Sequence, residues 1–225
     1  MNQLLRIWDT TVGKKVVMAL TGIVLVGFIT GHMLGNLLLL SGPESINTYA
    51  QILHAEPALL WMVRIVMLVS FPAHIVAAVQ LTARAGNARP VAYKQLKKQT
   101  STIAAQTMRI GGPVLMVFVI FHLAHYTMNL VNPEFATLHD AEGRHDVYRM
   151  LVAGFSNPSI VGVYLAAVAS LGMHLRHGVW SALQTLGANH PAYNDLRKQV
   201  ATVYALVMTL GFAAGPLAVL AGLVK

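Results

Sequence analysis

NPSIVGVYLAAVASLGMHLRHGVWSALQTLG, residues 157–187, is apolar over enough length to cross a bilayer, yet it holds His174, Arg176 and His177 close together. About 20 mostly apolar residues suffice to span the hydrocarbon layer. Lipid offers no partner to an open sheet edge, so such a run is a helix. An ionisable group at that depth is costly, and it faces a bundle interior, a cavity or a bound group. The rest of the chain shows which.

Four more segments have the same character, so the expected spans are residues 16–40, 58–84, 109–131, 158–187 and 200–224. The breaks between them, SGPESIN, RAGNARP, NPEF and GANHP, carry turn and breaker residues. Apolar residues make up 56% of the 225 and charged residues 11%, against roughly 25% charged in a soluble domain. So little charge cannot cover a soluble surface of this size. The expected fold is an all-α membrane protein, one five-helix transmembrane domain over residues 1–225. No signal peptide with a small-residue cleavage site is evident, so the first span is expected to remain in the mature chain.

Orientation follows from the basic residues. Arg6, Lys14 and Lys15 precede the first span. Arg84, Arg89, Lys94, Lys97, Lys98 and Arg109 surround the second break, and Arg197 and Lys198 lie between the last two spans. These three segments share one side, which the positive-inside rule makes cytoplasmic. Six of the eight acids, Glu44, Glu56, Glu134, Asp140, Glu142 and Asp146, fall on the other. The N-terminus is expected inside and the C-terminus outside. The net charge of +8 is then mainly a topology signal, with a second use as a docking surface, and not the footprint of a nucleic-acid partner. MNQLLRIWDT at the start reads as a short surface helix or a frayed terminus.

The chain has no cysteine. That excludes disulfides, cysteine-held iron–sulfur clusters and haem attached through C-x-x-C-H. No Asp or Glu lies in the apolar part of a span, which argues against a carboxylate-based pump. P-loop, H-E-x-x-H and Rossmann patterns are missing. Histidine remains as a metal ligand. Of ten histidines, six fall in spans: His32, His74, His122, His125, His174 and His177. One alone would be a packing residue as often as a ligand, but six across four consecutive spans point to a bound group.

Depth pairs them. With about 1.5 Å of rise per residue, His32 and His122 lie roughly 3–6 Å outside the bilayer centre, and His74 and His174 roughly 4–5 Å inside it. Each pair joins spans running in the same direction at one height. Two stacked bis-histidine sites are what two haems b require, since haem iron takes a ligand on each face of the ring. His125 and His177 follow a ligand candidate by one turn. They are read as contacts to a propionate, a backbone carbonyl or quinone. Arg176 is read as a propionate partner near the inner haem. Arg64 is read either as the outer equivalent or as a snorkelling interface residue. Gly27, Gly31 and Gly35 read as a close-packing stripe, with approach to a haem edge as the alternative. Pro72, Pro113 and Pro216 read as kinks or helix starts, and the methionines as apolar filler.

Three stretches together are familiar: KKVVMALTGIVLVGFITGHMLGNLLLLSGPESINTYAQIL (14–53), VFVIFHLAHYTMNL (117–130) and HLRHGVWSALQTLG (174–187). The chain resembles the cytochrome b558 membrane anchor of bacterial succinate dehydrogenase (succinate:quinone oxidoreductase) across all five spans. The resemblance implies a multi-pass subunit of the bacterial plasma membrane that anchors a flavoprotein subunit and an iron–sulfur subunit on the cytoplasmic face. It implies two haems b held by His32 with His122 and by His74 with His174, the four residues that depth selects. It also implies electron relay to quinone, with menaquinone as acceptor, in respiration and the tricarboxylic acid cycle. No chemistry on succinate is implied in this chain. Some fumarate-reducing relatives carry a glutamate near the fourth span; its lack here weakly favours succinate oxidation. A higher oligomer is compatible with this reading. Two rivals stand: the cytochrome b anchor of another respiratory dehydrogenase, such as a hydrogenase or formate dehydrogenase, and a non-redox transporter using histidines as a metal path.

Quinone reduction consumes protons, so its site needs a titratable or water-connected group. The outer candidates are Glu56, His54, Asn47 and Tyr49; the inner ones are His177 and Arg176 with Lys15 and Thr21. Electrons that cross the bilayer through two haems favour the outer place.

Overall fold

The computed structural model describes residues 8–88 and 102–225. Arg6, Arg89, Lys94, Lys97 and Lys98, and most of the proposed N-terminal surface helix, lie outside the described residues. The described residues are mostly helical, and no strand occurs among them. The helices are α1 (Thr11–Leu37), α2 (Pro43–Ala55), α3 (Pro57–Asn87), α4 (Ile103–His122), α5 (Val147–Phe155), α6 (Pro158–Thr185) and α7 (Asn194–Leu220). Five of them, α1, α3, α4, α6 and α7, are long and apolar enough to span a membrane.

Local chemistry sets the ends. Thr10 and Thr102 cap α1 and α4 through their hydroxyls, bonded to the amides of Gly13 and Ala105. Such a cap satisfies one of the amides a helix start leaves without a partner. Pro43, Pro57 and Pro158 open α2, α3 and α6, where the missing N–H costs nothing. Pro72, Pro113 and Pro216 lie inside α3, α4 and α7. The third span begins six residues before the sequence-based boundary of 109 and loses α-helical geometry at His122, passing into a π turn at Leu123–Thr127. Asn129 then takes a left-handed φ of 51° and ends the rod short of 131. The last span likewise starts early, at Asn194, and stops at Leu220.

α1 packs against α3, α6 and α7, while α6 packs against α4 and α7 as well. The first four spans thus form a bundle whose packed edges are α3–α1, α1–α6 and α6–α4, with α7 closing one side. The diagonals, α1–α4 and α3–α6, are not closely packed among the described residues. Glycines let the seams close: a Cβ on Gly111 would stand 3.2 Å from the Ser170 hydroxyl, and one on Gly172 would meet Thr209. The stripe read from the sequence does not do this. Only Gly35 is covered, by the Tyr49 ring, whereas Gly27 and Gly31 face open space.

Two segments read as breaks are structured. α2 and α5 lie at the end of the bundle where α1 and α4 finish and α3 and α6 begin, and they pack on each other. Ile46, Leu151 and Phe155 from this cap join Leu39, Val161, Tyr164 and Val219 from the spans in one apolar cluster. A polar latch holds it. Buried Asn47 donates to Asp140 and Asp146 and accepts from the Tyr148 amide. Arg144 binds Glu44 at 2.8 Å, Asp140 at 2.7 Å and Glu142 at 3.1 Å. Large apolar side chains are exposed along all five spans, among them Ile23, Leu68, Val117, Val163 and Leu210. This is a surface suited to lipid.

Candidate functional site

The bundle diagonals carry the histidines. His32 of α1 and His122 of α4 face each other with ring centres 5.7 Å apart, and His74 of α3 and His174 of α6 do so at 6.2 Å. Two imidazoles bound to one metal through nitrogen at about 2 Å each have ring centres roughly 6 Å apart. No hydrogen bond joins either pair among the described residues, so mutual bonding does not account for the facing rings. Nδ1 of His174 is buried without a hydrogen-bond partner, as is Nε2 of His125, which faces no second histidine across a diagonal. Diagonal spans that stay apart, with facing rings at this separation, suit a flat apolar group held from both sides. The residues present therefore fit two haems.

The remaining nitrogens are set from nearby. His74 Nδ1 lies 3.1 Å from the Met18 carbonyl and 3.3 Å from the Thr21 hydroxyl. Met18 can only accept, so Nδ1 carries the proton and Nε2 keeps its lone pair. His122 Nδ1 lies 3.2 Å from the Tyr164 hydroxyl, which also stands 3.1 Å from His125 Nδ1. A carbonyl partner fixes the tautomer of a ligating ring, and a hydroxyl partner orients it. For His32, the Asn36 amide sits 3.4 Å from Nε2 while making its shorter bond, 2.7 Å, to the His32 carbonyl. Phe28 and Phe118 stack beside His32 and His122, and Phe212 of α7 lies 6.0 Å from His32. Gly22 gives the His74 ring its place; a Cβ there would stand 3.3 Å from Cε1.

The two pairs occupy two levels. His74 lies beside Thr21 and Gly22 of α1, and His32 is ten residues beyond Gly22, so the levels are about 15 Å apart along the bundle. The His32–His122 level is the one nearer the cap.

The other expected site residues separate. His125 is fully buried, its ring 3.9 Å from Tyr126 and packed among Phe121, Phe135 and Tyr164. It supports His122 through the shared Tyr164 hydroxyl. His177 is half-buried, edge-on to Trp180. Arg176 does not join His174: two residues apart on a helix means nearly opposite faces, and Arg176 lines a groove with α7 residues Lys198 and Thr202. Arg64 is exposed, its guanidinium 5.2 Å above Trp61, an arrangement typical of a membrane interface. The outer quinone candidates also part. Asn47 belongs to the latch and Tyr49 covers Gly35, leaving His54 and Glu56 exposed at the α2–α3 joint. Of the expected inner candidates, Thr21 reaches His74 and Lys15 is exposed.

Sequence reasoning missed Tyr164, Gly22 and the Met18 carbonyl. Tyr164 had a signal, as a lone phenol in the apolar run IVGVYLAAVA; the other two have none, because a backbone carbonyl and an absent side chain leave no chemical mark. Among the described residues the acids and histidines make no group of three that could hold a metal ion. No family model, curated protein or solved structure matches the chain.

Proposed function

We propose that this chain is the dihaem cytochrome b membrane anchor of a succinate dehydrogenase, with N-terminus cytoplasmic and C-terminus outside, in the plasma membrane of a bacterium. The observation that carries the haem reading is the pair of facing histidines on each bundle diagonal, 5.7 and 6.2 Å between ring centres. The choice of partner enzyme rests on the resemblance of residues 14–53, 117–130 and 174–187. His32 and His122 would hold the outer haem b, and His74 and His174 the inner one. When bound, the haems supply one-electron carriers between a partner's iron–sulfur clusters and membrane quinone, with menaquinone proposed as the acceptor.

The chain's own part is to hold and insulate. The Met18 carbonyl keeps His74 in one tautomer with Thr21 beside it, and the Tyr164 hydroxyl orients the His122 ring. Phe28, Phe118 and Phe212 exclude water around the outer pair. At the outer end, Glu56 and His54 are exposed at the α2–α3 joint and would pass protons to a quinone oxygen. Flavoprotein and iron–sulfur subunits would dock on the cytoplasmic face, beside the segment that contains Lys94, Lys97 and Lys98.

A pyridine-haemochrome assay of the purified protein is expected to give two haems b per chain, with a reduced b-type spectrum. Zero haem ends the redox reading, and one haem means that a histidine pair is misassigned. Co-purification of a covalent-flavin subunit is expected; a hydrogenase or formate dehydrogenase subunit in its place would reassign the partner.

A further inference from the structure

We propose that the groove between the end of α6 and the start of α7 binds the phosphate of an anionic phospholipid, with an acyl chain laid along α7. The groove is shallow and open, about 330 Å³, and is lined by Arg176 of α6 and by Lys198, Gln199, Thr202 and Val203 of α7. Two cations and two neutral polar side chains around one concavity form an anion site.

The cations are available. Arg176 is exposed and meets no carboxylate among the described residues. Lys198 has only a 3.4 Å pairing with Asp195, and both side chains are well exposed. Such a surface pair contributes little, so a phosphate competes with it readily. The adjacent Arg197 is different: it is buried and committed to the Ala188 carbonyl, Asn189 and Asn194.

What lies beside the groove selects lipid over a soluble anion or a protein carboxylate. At Gln199 and Val203 the cationic mouth runs into a second groove, lined by Leu196, Gln199, Val200, Val203, Tyr204 and Val207. Leu196, Val200, Val203 and Val207 are each more than half exposed there. An open apolar strip continuous with a cationic mouth, at one end of a spanning helix, matches a headgroup with its acyl chain. Basic pockets between spanning helices are a known form of anionic-lipid site. Arg176, nine residues inside the end of α6, reaches the headgroup level by extending its stem along apolar surface.

The test uses the full chain in neutral detergent, delipidated and titrated with phosphatidylglycerol, phosphatidylcholine or inorganic phosphate, with bound lipid read by native mass spectrometry. Phosphatidylglycerol is expected to bind more tightly than phosphatidylcholine. Arg176→Gln is expected to weaken it about fivefold and Arg176→Gln with Lys198→Gln roughly 30-fold, at about 1 kcal/mol per cation. Arg176→Lys is expected to restore most of the affinity, and Val203→Trp to weaken both lipids by obstructing the strip. Circular dichroism identifies any variant that fails to fold, and Arg176→Lys then carries the comparison. Equal binding of the two lipids, or wild-type affinity in the double variant, overturns the proposal. Inorganic phosphate displacing phosphatidylglycerol at equal concentration overturns the lipid assignment.

Discussion

His122 and His125 lie one turn apart and share the Tyr164 hydroxyl, but their surroundings differ. His122 faces His32 across a diagonal, whereas His125 is sealed among aromatic rings. His122→Ala is expected to remove the outer haem and leave the inner one largely in place. His125→Ala is expected to keep both haems and to destabilise the fold by about 2–5 kcal/mol, the range for emptying a buried site. If haem analysis showed His125 essential and His122 dispensable, the assignment would be off by one turn. Tyr164→Phe keeps the ring and loses the hydroxyl; the outer site is expected to hold haem about 10–100-fold less tightly, with the inner site unchanged. Quinone is tested by Glu56→Gln and His177→Ala, assayed for succinate:quinone activity with haem content checked. Glu56→Gln is expected to lower activity; loss in His177→Ala alone, with both haems retained, would move the site to the inner face.

α2 and α5 owe their positions to a latch that includes surface charges. Hydrogen bonds from Arg144 and then Thr48 hold the Glu44 carboxyl at about 2, below its ordinary 4.5. A carboxyl lowered in the folded state adds stability that is fully present above about 4.5 and is lost as pH falls toward about 2. Hydrogen exchange across Pro43–Ala55 is therefore expected to accelerate over that window. Arg144→Gln is expected to abolish the Glu44-linked part of the pH dependence and leave exchange in the five spans unaltered. Equal acceleration in the variant would show that the latch does not depend on Arg144.

At the scale of the whole molecule, the alternation of five spans makes orientation one binary property. Reporter fusions at Lys198 and within residues 94–98 are expected to report the cytoplasm, and fusions at Glu142 the opposite side. Crosslinks from Lys94, Lys97 or Lys98 are expected to reach an iron–sulfur partner; their absence would remove docking and leave topology standing.

Apolar runs marked out the five spans, and height along them paired His32 with His122 and His74 with His174, because both are one-dimensional quantities. Apolar length decides whether a segment crosses hydrocarbon, and residue count along a rod decides height. Span ends were less legible: a π turn and a left-handed Asn129 cut the third rod short, and hydropathy does not register backbone geometry. Azimuth came from the folded bundle. It turned Arg176 toward α7 and away from His174, buried Asn47 in a latch, and placed Gly22 against His74. Which side of a helix meets which neighbour depends on the seams of the whole bundle, and these are set by contacts distant in sequence, such as Gly111 with Ser170 and Gly172 with Thr209.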